Sequence, residues 1–119
     1  MAKGKLPDAL ARRHLLEGGL DASKALAIAE GYLEAEREIE AIDFLRAADP
    51  AANERARELL AGLRDGALER GDVFLMRLVT AAMDEEPSSE TWKAMARAAT
   101  EAGRAHDAET AERLASVGD

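Results

Sequence analysis

Residues 73–83 read Val-Phe-Leu-Met-Arg-Leu-Val-Thr-Ala-Ala-Met, and only this stretch is apolar on almost every side. A helix that is oily all round must be covered all round. The stretch is too short to cross a bilayer, and Arg77 interrupts it, so the sequence predicts a buried core helix. Most other segments carry one apolar stripe and a charged back. They read as further helices that cover it.

Taken in order, those helices number seven in all. The first runs from Pro7 to about Glu17, with Pro7 in the first helical position and Asp8 complementing the dipole. Leu6, Leu10, Leu15 and Leu16 anchor it, and Gly18-Gly19 ends it. Asp21 caps the second, residues 22–34, where Ala22, Ala25, Leu26, Ala29 and Leu33 recur at helical spacing. A polar turn near Arg37 leads to a third helix with Ile39, Ile42, Leu45 and Ala48 on one side. Asp49-Pro50 opens a fourth, striped by Ala52, Ala56, Leu59, Leu60, Leu63 and Ala67. Gly62 and Gly66 inside it mark either a close helix contact or an early end. Arg70-Gly71-Asp72 turns into the central apolar helix, which Asp84-Glu85-Glu86-Pro87 closes. Ser88 or Ser89 caps a sixth helix bearing Trp92, Met95, Ala96 and Ala99. After a turn at Gly103, a seventh runs from about Ala105 to Val117 with Ala108, Ala111, Leu114 and Ala115 inward. Aromatic residues make up only 3% of the chain, so alanine and aliphatic side chains must build the core. Strand formers never alternate cleanly with polar residues. The fold class is therefore all-α, with short links that set neighbours antiparallel.

The pattern also repeats. At an offset of 67, Ala25 meets Trp92, Ala29 meets Ala96, Ala41 meets Ala108 and Ala48 meets Ala115. At 34, Ala25 meets Leu59, Ala29 meets Leu63, Ala41 meets Leu75, Leu45 meets Val79 and Ala48 meets Ala82. The turns at Arg37, Gly71 and Gly103 keep step. A helix pair with this period resembles the tetratricopeptide repeat. Ala29 with Ala41, and Ala96 with Ala108, stand where that family packs small residues between paired helices. Tyr32 and Trp92 occupy places where it often has Tyr and Trp. The middle pair departs, with bulky Leu63 and Leu75. The expected architecture is one domain over 1–119. An N-terminal capping helix (1–20) precedes three stacked helix hairpins, 22–48, 51–83 and 88–117. About three units make such an array stable, and the apolar fifth helix would lie in the middle one.

Charge bears on partners. The net charge is −8. Residues 1–20 carry four Lys and Arg against two acids, residues 21–50 three against eight, and residues 51–119 nine against fourteen. Nucleic acid and anionic membranes want the opposite balance. Met1-Ala2-Lys3-Gly4-Lys5 is basic like the start of a signal peptide, but Pro7-Asp8 follows where an apolar run would stand, so the expected compartment is the cytoplasm. The chain has no cysteine and two histidines: His14 shares a helix face with Glu17, a spacing that recurs in carboxylate metal sites, but such sites need several Glu and His together, and His106 and Asp107 would point apart on a helix. Glu34, Glu36, Glu38 and Glu40 read as a solvated acidic face, and no glycine loop follows a strand. We therefore expect no catalytic residue, no metal and no cofactor.

The resulting expectation is a small non-catalytic protein-interaction module. In tetratricopeptide-like arrays the first helix of each pair lines a concave surface. That resemblance makes Lys24, Tyr32, Arg57, Arg64, Lys93 and Arg97 the candidate partner-binding residues. Several are basic, which favours a protein or peptide partner with acidic groups. The alternative is a self-associating homodimer through apolar end faces on the first and last helices.

Overall fold

The computed structural model describes residues 6–117. The basic stretch Met1-Ala2-Lys3-Gly4-Lys5 lies outside them. Within them the chain forms seven helices and no strand: α1 (Ala9–Glu17), α2 (Ala22–Glu34), α3 (Glu38–Ala47), α4 (Glu54–Arg70), α5 (Val73–Ala82), α6 (Ser89–Glu101) and α7 (Ala105–Val117). No helix among the described residues is long and apolar enough to cross a membrane. The chain divides into two compact units, one up to Leu60 and one from Ala61 onward. The division falls inside α4.

Polar caps set the helix starts. Asp8, Asp21, Asp72 and Ser88 each accept a backbone N–H from three residues on. Two starts differ from expectation. Asp8 is itself the N-cap of α1, so Pro7 precedes the helix instead of opening it. Helix α4 begins at Glu54, with Asn53 Oδ1 accepting from Ala56 N at 3.1 Å. Asp49 does not cap it. Asp49 is left-handed, with φ 58°, and ends α3, so Ala52 is exposed and outside the helix.

The helix ends share one device. Residue Glu36, Gly71, Asp84 or Gly103 takes a left-handed φ just past the helix. Its N–H and the next one then bond back to carbonyls inside the last turn, as in Arg37 N to Tyr32 O at 2.9 Å and Asp72 N to Ala67 O at 2.9 Å. The left-handed residue of the first turn is thus Glu36, one before Arg37. Counted back from Glu36, Gly71 and Gly103, Ala25, Leu60 and Trp92 fall at one register position, and all three are buried. Tyr32, Ala67 and Ala99 share another and are buried too. Counted forward, Ala41, Met76 and Ala108 agree in the same way. The middle pair is therefore shifted one residue from the offset of 34, because Glu36 and Gly71 stand 35 apart.

In the first unit α2 packs on α3. Tyr32 and Phe44 stack there with ring centroids 5.7 Å apart, among Ala25, Ala29, Ala41, Ile42, Leu45 and Ala48. In the second unit α6 packs on α7, and α5 touches α7. Leu75, Met76 and Val79 of α5 are fully buried, each contributing about 1.5–3 kcal/mol of transfer free energy. The expectation that α5 is covered all round fails. Phe74 is 63% exposed, and Arg77 and Ala81 face water, so α5 has one buried face like its neighbours. Leu10 and Ile39, expected as anchors, are also exposed. The glycines of α4 mark neither a close contact nor an end. A Cβ at Gly62 would meet nothing within 4 Å, and one at Gly66 would meet only the Arg70 side chain.

Candidate functional site

The six residues expected to bind a partner fall in both units, Lys24, Tyr32 and Arg57 in the first and Arg64, Lys93 and Arg97 in the second. Tyr32 is wholly buried. Its hydroxyl donates to Pro7 O at 2.6 Å, and its ring carries the Arg37 guanidinium at 5.1 Å and that of Arg12 at 6.0 Å. The nearby Tyr32 side chain also raises the Arg12 pKa. Tyr32 is a fastener for the N-terminal segment, where the repeat resemblance suggests a contact residue. Arg57 spends its guanidinium on the carbonyls of Pro50 and Ala51, at 2.7 and 3.1 Å. Arg64 donates to Glu85 Oε1 at 3.0 Å. Lys24 is exposed on α2.

Lys93 and Arg97 do lie together, one turn apart on α6. With Ala96, Glu112, Ala115 and Ser116 they line a shallow hollow of about 370 Å³. Lys93 sits 3.7 Å from Glu90, and Glu112 shares the hollow, so this surface is mixed in charge. A further shallow hollow on α7 holds His106, Glu109, Glu112, Arg113 and Ser116. Among the described residues no cluster of three or more His, Asp or Glu could hold a metal ion. Glu34 and Glu36 are exposed. Glu40 accepts from Arg37 Nη2 at 2.8 Å, and that bond, with a second from its own backbone N–H, lowers its pKa.

A concavity larger than these two lies elsewhere in the second unit. The end of α5, the link to α6, the start of α6 and the end of α7 enclose a cleft of about 560 Å³. That volume falls in the roughly 300–1,000 Å³ range of ligand sites. Trp92, Ala81, Leu114, Val117 and Pro87 supply apolar lining. Trp92 is 6% exposed, so the cleft meets only a small part of a side chain otherwise in the core. Val117 is 82% exposed. Asp84, Glu85 and Glu86 contribute three consecutive carboxylates, and Arg77 one cation. Local folding explains the placement. The left-handed turn at Asp84, fixed by Glu85 N to Thr80 O at 2.9 Å, swings the acidic link across the end of α5. Ser88 then starts α6 and brings Trp92 up one turn later.

In the sequence alone, Asp84-Glu85-Glu86-Pro87 reads only as a helix stop. Its nearness to the lone Trp is the available signal. The contribution of Leu114 and Val117 has none, because it arises from α7 packing beside α5 and α6. The chain matches no known protein-family model, no curated protein and no solved structure.

Proposed function

We propose that this protein is a small non-catalytic interaction module, three helix pairs of tetratricopeptide-like kind, that docks a segment of a partner protein in the cleft beside Trp92. The observation that carries this reading is the cleft itself, a hollow lined by apolar and charged side chains in the unit where α6 and α7 pack. Its lining mixes apolar and charged side chains, as contact surfaces do. The repeat reading draws support from the shared register of buried residues about Glu36, Gly71 and Gly103. An acidic partner would have to rely on Lys24, Lys93 and Arg97, since Arg57 and Arg64 already hold carbonyl and carboxylate groups. The cleft therefore ranks above that basic set.

Trp92 is the only tryptophan in the chain, so its fluorescence reports on the cleft. Screening a tryptophan-free peptide library of mixed charge should yield ligands that shift its emission. Binding at other surfaces with Trp92 unmoved by every peptide would dismiss the cleft. A second reading, self-association, is favoured by Leu10 of α1 and Val117 of α7, both largely exposed. Light scattering across concentration separates the two, since a tight dimer supports the second and a monomer discards it.

A further inference from the structure

We infer that the cleft selects a basic, aliphatic partner segment, a Lys or Arg flanked by Leu-like side chains; this rests on the docking reading above. The charges decide it. Asp84 and Glu86 are exposed and make no ion pair among the described residues, while Glu85 shares its charge with Arg64. Against the other two carboxylates, Asp84 and Glu86, the lining offers one cation, Arg77. The C-terminal end of α5 adds its own partial negative charge, which favours cations there. The N-terminus of α6 would favour an anion on the opposite wall, but its Thr91 N–H already donates to Ser88 Oγ at 3.1 Å. Leu114 and Val117 offer aliphatic contact in the same cleft. An acidic segment would face repulsion on the same rim.

The test uses the full chain and two short tryptophan-free peptides, one of Lys and Leu and one of Glu and Leu. The Lys/Leu peptide should shift Trp92 emission and weaken as salt is raised. Asp84→Asn combined with Glu86→Gln should weaken it roughly three- to tenfold. Asn is at home in the left-handed conformation of position 84, so this variant keeps its fold. Glu101→Gln with Glu109→Gln removes equal charge at the far end of the α6–α7 pair and should leave binding unchanged. Equal weakening by both double variants would mean unspecific attraction to an acidic protein and would overturn the inference. So would equal or tighter binding of the Glu/Leu peptide at Trp92, although docking in the cleft would then stand. If neither these peptides nor the library moves Trp92, the docking reading falls as well.

Discussion

The backbone of Gly71 lies directly against that of Ala99. A Cβ at Gly71 would run into the Ala99 nitrogen and Cα, not into a side-chain tip that could swing aside. The turn between α4 and α5 is thereby seated on α6, and Gly71 also holds φ at 67°. Gly103 has a similar φ, 75°, with nothing within 4 Å. Gly71→Ala should therefore cost several times more stability than Gly103→Ala. The second change should cost about 1–2 kcal/mol, the ordinary penalty of a left-handed alanine. Urea denaturation of both variants measures the difference, and equal losses would contradict a close approach of Gly71 to Ala99.

Gly62 and Gly66 lie in the middle of α4 without a neighbour that requires them. Replacing either by Ala should stabilise the protein by about 1 kcal/mol, since glycine is that much poorer in a helix interior. The Arg70 guanidinium would stand 3.2 Å from a Cβ at Gly66, and it is the movable end of a long side chain. A rise in the thermal midpoint checks this, and a fall at Gly62 would mean that α4 is packed more closely there.

Tyr32→Phe keeps the stack on Phe44 and removes only the bond to Pro7 O. The loss should be about 1 kcal/mol. It should be local, because α1 has no buried residue of its own. Hydrogen exchange should quicken in α1 and leave α6 and α7 unchanged.

The Arg37 bond holds Glu40 below the ordinary carboxylate pKa. A carboxylate with a lowered folded pKa stabilises the protein above its unfolded pKa, about 4.3 for Glu. That contribution fades as pH falls through the folded value. Glu40→Gln should thus lower the thermal midpoint at pH 7, with the gap to the parent closing in acid. A gap that widens in acid would reverse the sign of the coupling.

Helices are legible in the sequence wherever the chemistry is local. Asp21, Asp72 and Ser88 announce their helices, and Gly71 and Gly103 announce their turns. The turns at Glu36, Asp49 and Asp84 use no glycine, so the sequence places a break near each without showing which residue is left-handed, and α4 starts later than expected for that reason. Tyr32 reads as a contact residue because its partner, Pro7 O, is 25 residues away. The exposure of Phe74 is hidden too. Apolar character around the whole of α5 says that cover is wanted, not that the chain supplies it. The cleft is a tertiary product, and only its acidic link and Trp92 are visible in advance.

Amide chemical-shift mapping with the Lys/Leu peptide tests the central claim most directly. Shifts should gather at Arg77, Thr80, Ala81, the 84–86 link, Trp92, Leu114 and Val117, with little change around Lys24 and Arg57. Shifts centred on Lys24, Arg57, Lys93 and Arg97, with residues 84–86 silent, would contradict it.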